Sequence, residues 1–140
     1  HATPPVFDGP EDRNGLRNRD ETRFWSLLLD GQLGPAPEGP FVIAGDANLD
    51  PGKSDGRTET IAALLSDPRL QDPQPKTAEG DAATVNWKAV GELRVDYVLP
   101  SADLQVINSG VFWPNPEDPM RVTAQRASRH RLVWVDITFP

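Results

Sequence analysis

Two polar residues, Asp46 and Asn48, alternate directly after a short apolar run, Phe41 to Ala44. A carboxylate can accept a proton from water, and a neighbouring amide can donate a hydrogen bond to an oxyanion. The pair therefore suits hydrolysis of an ester by attack of water. Asp and Asn are also ordinary turn residues, so a plain loop remains the alternative explanation for these two positions taken alone.

Asp96 and His130 form a second candidate pair, although they lie far apart in the chain. Asp96 sits inside the apolar segment Leu93 to Leu99, where an unpaired carboxylate would be costly to desolvate. Its partner could be Arg94 or another arginine in a simple ion pair, or a histidine whose ring it orients. His130 directly precedes the last apolar segment, and a carboxylate beside it would support the imidazolium. A lone surface histidine is the other interpretation of His130.

The elements that must position these residues follow from the apolar patterns. A run of apolar residues at helical spacing predicts an amphipathic helix over 14–30, and a second helix is predicted over 57–65, ending before Pro68. A buried strand is predicted over 41–44, and a Pro/Asp-rich loop over 67–81. Later strands are predicted over 93–99, 104–112 and 132–139. Such strands and helices form an α/β layer in which one face or edge of the sheet still needs a cover.

Four short segments occur in a specific order. They are His1-Ala2-Thr3-Pro4, Gly45-Asp46-Ala47-Asn48, Arg94-Val95-Asp96-Tyr97 and Ser128-Arg129-His130. His1 alone would carry little weight, because a first residue is commonly frayed. Together the segments resemble the endonuclease/exonuclease/phosphatase superfamily, the deoxyribonuclease-like metal-dependent phosphoesterases. The resemblance spans essentially the whole chain.

The resemblance implies an α/β fold: half of a four-layer α/β sandwich, with a mixed, mainly antiparallel sheet and covering helices. Residues 1–140 would be the C-terminal half of the domain, without the N-terminal half. The chain begins with His1 rather than Met, which favours a processed, trimmed or separately defined fragment. The expected partner is therefore the chain's own N-terminal half. By analogy with family members that carry a leader, export to the periplasm or outside the cell is an expectation.

The resemblance also implies a role for each site residue. Asp46 would orient or activate the attacking water, and Asn48 would hold a phosphate oxygen as negative charge grows on it. His1 would contact the scissile phosphate. Asp96 would orient His130, which would hydrogen-bond the phosphate and help to neutralise the transition state.

Family members use Mg²⁺ or Mn²⁺ to polarise the phosphoryl oxygen, and this implies Asp46 and Asn48 as metal contacts here. The main carboxylate ligand, a Glu, would come from the N-terminal half, so this chain alone should bind metal poorly and turn over little. Arg129 departs from the family pattern, because many relatives have Asp at that position. A guanidinium cannot bind a cation, so Arg129 either clamps the substrate phosphate or makes a surface salt bridge.

The composition limits the functions that remain. The 14 basic and 21 acidic residues give a net charge of −7, which opposes long-range attraction to nucleic acid. No cysteine is present, so a metal would need oxygen or imidazole ligands. No apolar run predicts a membrane span. Trp87, Trp113 and Trp134 are expected to be core residues.

The leading hypothesis is therefore a metal-dependent phosphoesterase, active when joined to its N-terminal half. Its substrate would be a small phosphorylated molecule, with a nuclease acting on DNA or RNA as the runner-up. A catalytically silent phosphate-binding module of the same fold is a hypothesis from a different class, and Arg129 favours it. An unrelated α/β domain remains the simplest alternative, and it predicts that the five candidate residues do not converge.

Overall fold

The computed structural model describes residues 1–139, which form a mixed α/β fold of three helices and antiparallel strand pairs. The elements in chain order are α1 (Arg13–Leu29), β1 (Val42–Asp46), α2 (Glu59–Leu65), β2 (Val85–Trp87), β3 (Gly91–Leu93), β4 (Asp96–Pro100), β5 (Gln105–Phe112), α3 (Met120–Ala127) and β6 (Leu132–Thr138). Strand β1 pairs with β4, β2 with β3, and β5 with β6, all antiparallel. The predicted fold class is confirmed. Within residues 1–139, no helix is both long and apolar enough to cross a membrane.

The long apolar patterns correspond to real elements, but the strand predicted over 93–99 was wrong as a single strand. Arg94 and Val95 lie between β3 and β4 and belong to neither strand. The backbone N–H of Arg94 donates to the Asp50 carboxylate at 2.8 Å, and that of Val95 donates to the Thr84 hydroxyl at 3.0 Å. Since side chains take these hydrogen bonds, the segment has two short strands with a break between them. Strand β2 and helix α3 were not predicted.

The main core lies between the β1–β4 pair and the two helices α1 and α2. Ile43 of β1 and Leu99 of β4 face each other in register, and both are buried together with Ile61 of α2. Alternation along β1 directs Val42 and Ala44 to the opposite face, where both are exposed. The helices therefore cover one face of the pair and leave the other face apolar and accessible.

The three tryptophans predicted as core residues are each half-buried. Trp87 packs against a small second core of Val85, Leu93 and Val95. Trp113 lies between two arginine side chains, and Trp134 packs beside Gly110, where an added Cβ would come within 2.7 Å of the indole ring. The prediction that these tryptophans are core residues is therefore confirmed only in part, because each of them is partly exposed to solvent.

Leu49→Ala is expected to lower the free energy of unfolding by about 2–5 kcal/mol, because it opens a cavity in the core. Leu49 is fully buried and directly follows Asn48, so it also fixes the start of the loop after β1. Urea unfolding of the variant measures the loss. The matched control is Leu33→Ala at a residue that is 51% exposed, which should change stability by no more than about 0.5 kcal/mol. Equal effects at the two positions would contradict the core assignment.

Candidate active site

The end of β1 and the start of β4 place two carboxylates side by side. Asp46 and Asp96 are cross-strand partners in the β1–β4 register, and each is half-buried. Like charges directly opposite one another repel, so a positive group nearby would stabilise the pair. Burial raises the pKa of Asp46, and the Asp96 charge raises it further, while the backbone N–H of Asn48 lowers it. The arrangement concentrates negative charge at one end of the sheet.

His130 lies next to this carboxylate pair. Its Nδ1 is 2.9 Å from Oδ2 and 3.1 Å from Oδ1 of Asp96. A hydrogen bond from Nδ1 to a carboxylate fixes the ring orientation and leaves Nε2 free for another partner. The ring of Trp87 packs edge-on against the imidazole, with ring centroids 5.9 Å apart. The predicted Asp–His pairing is therefore present, and its ring is held from two sides.

Asn48 and His1 complete the cluster on the other side of Asp46. The Asn48 side-chain amide donates to Asp46 Oδ2 and to the carbonyl of Ala2, both at 2.9 Å. Its backbone N–H donates to Asp46 Oδ1 at 2.7 Å. Asn48 has a φ of 50°, a left-handed conformation that Asn tolerates better than most residues. His1 Nε2 is 3.4 Å from both Asp46 Oδ2 and the Asn48 amide nitrogen. All five predicted site residues thus lie together.

The donor set of this cluster suits a hard divalent cation. One ligand atom each from Asp46, Asp96 and His130 can be chosen so that all lie within 4.8 Å of one another. The two carboxylate oxygens are ligands that Mg²⁺ or Mn²⁺ prefers, and either ion would need further oxygen ligands to complete the shell. Asn48 was also predicted as a metal contact; its amide nitrogen donates to Asp46 and Ala2, so the side-chain oxygen is the atom that could contact a cation.

Arg129 is exposed and directly precedes His130. Within residues 1–139 its side chain forms no salt bridge at 4.0 Å or less. Its guanidinium is therefore without a carboxylate partner among the described residues.

Arg94 does not pair with Asp96. It forms a two-pronged ion pair with Asp72, at 2.5 and 2.8 Å, and its guanidinium stacks over the Tyr97 ring at 4.6 Å. The simple ion-pair interpretation of Asp96 was therefore wrong, and the Asp96 carboxylate is left to His130.

Helix α1 holds the segment that carries His1 in place through two polar side chains. Sequence reasoning missed these two residues. The Asn18 side-chain amide is fully buried and donates to the carbonyls of Thr3 at 2.7 Å and Ala47 at 2.8 Å. Glu21, one turn later, accepts the backbone N–H of Thr3 at 2.6 Å. The only sequence signal was polar residues at positions 18 and 21 of an amphipathic helix, on a face that a helical pattern would assign to solvent.

The loop after β1 is held by a buried carboxylate that sequence reasoning also missed. Asp50 accepts the backbone N–H groups of Gly52 and Lys53, each at 2.9 Å, besides that of Arg94. The Tyr97 hydroxyl lies 2.9 Å from the carbonyls of Leu49 and Arg94, and burial raises its pKa. These contacts connect the ends of β1 and β4 where Asp46 and Asp96 meet.

The chain combines antiparallel strands and helices with an Asp, Asn and His cluster at the strand ends. The chain matches the model of the Endonuclease/Exonuclease/phosphatase family over residues 2–130, and it belongs to that family. The predicted resemblance is confirmed.

One solved structure with the same fold is a mannosyl-6-phosphatase of Bacteroides thetaiotaomicron VPI-5482. The two share 20% sequence identity with a TM-score of 0.53, and the match covers 94% of this chain and 47% of the phosphatase. This chain thus spans less than half the length of that protein. No curated protein matches the chain.

Proposed function

We propose that this chain supplies part of the active site of a metal-dependent phosphoesterase. The observation that carries the proposal is the convergence of Asp46 and Asn48 with the hydrogen-bonded Asp96 and His130 pair at one end of the β1–β4 sheet. Asp46 accepts the proton of the attacking water or orients that water. Both N–H groups of the Asn48 amide are donated to Asp46 and Ala2, so Asn48 fixes the Asp46 carboxylate. His1 holds a phosphate oxygen, and Asp96 keeps His130 oriented toward the phosphate as charge develops.

A divalent cation, Mg²⁺ or Mn²⁺, fits the same site. It would be held by the carboxylates of Asp46 and Asp96 together with ligands from elsewhere, and it would supply Lewis-acid polarisation of a phosphoryl oxygen. The pair of facing carboxylates supports this, because a cation removes the repulsion between them.

The complementary partner is the N-terminal half of the same domain. The exposed apolar face of β1, with Val42 and Ala44, ends at Asp46, so a second layer packed there would reach the site. The 47% coverage of the phosphatase leaves room for such a layer in that fold. A Glu from this half is expected to complete the metal shell, which would leave residues 1–140 alone almost inactive.

The preferred substrate is a small phosphorylated molecule. The net charge of −7 opposes the multiple phosphate contacts on which nucleic-acid binding depends, and the structural relative is a sugar phosphatase by name. The exposed Arg129 provides a cation for a single phosphate group at the edge of the site.

Removal of divalent cations should abolish hydrolysis by the chain joined to its N-terminal half. With EDTA the rate should fall by roughly 10²-fold or more, since a Lewis acid contributes several kcal/mol, and Mg²⁺ or Mn²⁺ should restore it. The assay uses phosphomonoesters, phosphodiesters and DNA, with residues 1–140 alone as the matched control. DNA cleavage would favour the nuclease, and phosphate binding without turnover would favour the silent module. Full activity in EDTA would refute the metal proposal.

A further inference from the structure

Arg131, the residue directly after His130, is a buried cation whose two terminal nitrogens have partners, while its Nε–H has none among the described residues. Its side chain is 3% exposed, and its guanidinium donates to the carboxylates of Asp81 and Glu92 and to the carbonyl of Ala83. It also lies 4.9 Å above the Trp113 ring. A charge at this depth is costly unless it is paired, and a planar guanidinium is the group that can serve several acceptors at once. Arg131 therefore joins three separate segments of the chain.

The backbone at Arg131 is tied to the residue that fixes Asp96. The Arg131 N–H donates to the carbonyl of Thr84 at 2.7 Å. The hydroxyl of Thr84, which is 1% exposed, accepts the N–H groups of Val95 at 3.0 Å and Asp96 at 3.1 Å. One buried threonine thus contacts the backbone on both sides of the Asp96–His130 hydrogen bond.

We propose that Arg131 is a positioning residue that holds the His130 ring against Asp96. The proposal rests on the proposed function, in which that ring faces the substrate phosphate. His130 follows helix α3, where its backbone N–H donates to the Ser128 hydroxyl at 2.9 Å and the residue forms an isolated antiparallel bridge with Val85. The buried guanidinium one residue later anchors this backbone to the 81–84 segment and to β3. A displacement of the order of 1 Å at a catalytic group costs about 10²-fold in rate, so this anchor contributes to turnover.

The test variant is Arg131→Lys in the chain joined to its N-terminal half. A lysine keeps the charge but cannot serve Asp81, Glu92 and the Ala83 carbonyl together. We expect kcat to fall roughly 10- to 100-fold with KM changed less than about twofold, because ring orientation matters most in the transition state. The downfield proton NMR signal of His130 Nδ1–H, which reports the hydrogen bond to Asp96, should weaken or disappear.

The matched control is Arg121→Lys. Arg121 stacks on the opposite side of the same Trp113, 4.4 Å from the ring, and donates to the Pro114 carbonyl at 2.7 Å, but it does not adjoin His130. Its kcat and its NMR signal should stay within about twofold of the parent protein.

If Arg131→Lys is less stable but the folded protein keeps both kcat and the Nδ1–H signal, the positioning role is overturned. If the variant does not fold, Glu92→Gln decides, because it removes the negative charge of one partner at a side chain that is 46% exposed. A three- to tenfold loss of kcat, an order-of-magnitude expectation, supports the proposal, and unchanged kcat overturns it. If the parent protein hydrolyses no phosphoester, the proposed function fails separately. The NMR signal of the folded Arg131→Lys or Glu92→Gln variant then still decides the positioning role: loss supports it and retention overturns it.

Discussion

Asp46→Asn is expected to lower kcat by roughly 10²- to 10⁴-fold, the range in which a positioned acid or base contributes to catalysis. The isosteric amide can still accept the Asn48 N–H, which is 2.7 Å from Asp46 Oδ1, so the turn after β1 should keep its shape. The amide cannot accept a proton from water, and it brings no negative charge to a metal. The change therefore removes the proton acceptor and also the hydrogen bond that the Asn48 side-chain amide donates to Asp46 Oδ2 at 2.9 Å. Initial-rate kinetics of the chain joined to its N-terminal half, at saturating Mg²⁺, measure the loss.

Asp55→Asn is the matched control, because Asp55 is an exposed Asp in the loop that follows the same strand. Its kcat should stay within about twofold of the parent enzyme. Urea unfolding of both variants separates activity from stability. An Asp46→Asn enzyme that retains more than about a tenth of the parent kcat would remove Asp46 from the reaction.

Asp96→Asn and His130→Gln should each lower kcat by roughly 10²- to 10⁴-fold, and the double variant should be little worse than either single variant. The reason is that Asp96 and His130 act as one unit through the 2.9 Å contact to Nδ1. An amide at position 96 can present its N–H to Nδ1 and so favour the wrong tautomer, and it no longer supports an imidazolium. Kinetics of the two single variants and the double variant give the coupling free energy between the two side chains.

Additive losses in that cycle would contradict the dyad, since they would mean that the two residues act independently. Asp136→Asn serves as the control for removal of one negative charge, because Asp136 is exposed on β6, the strand that follows His130. It should leave kcat within about twofold. If Asp136→Asn lowers kcat as much as Asp96→Asn does, the effect comes from overall charge and not from the pairing with His130.

The consequences for metal binding follow from the same charges. Asp46 and Asp96 are opposite each other in register, so the loss of either carboxylate relieves repulsion and also removes a metal ligand. If these carboxylates bind the cation as proposed, the two variants need more Mg²⁺ for half-maximal activity, whereas Asp55→Asn does not. A shift of this kind would link the kinetic losses to the cation and not only to proton transfer.

Several features of this protein were determined by the sequence itself. The apolar run before Asp46 predicted the strand that ends there, and a helical pattern predicted α1 over nearly its observed length. Both are local signals, because residues within one element decide its periodicity. The four motif segments together predicted the family. Their residue types and their order along the chain were sufficient for this prediction.

Tertiary structure alone decided how those residues are positioned. The register that sets Asp46 opposite Asp96 and the approach of His130 to Asp96 depend on contacts between segments far apart in the chain. The break between β3 and β4 likewise comes from Asp50 and Thr84, distant side chains that replace ladder partners. Nothing in the local pattern marks Arg131 as buried, because a cation at the start of a strand normally points to solvent. Its burial depends on hydrogen bonds to Asp81, Ala83 and Glu92, which lie in distant segments of the chain. Periodicity along the chain specifies elements, whereas the pairing of buried polar groups is settled only when the elements pack.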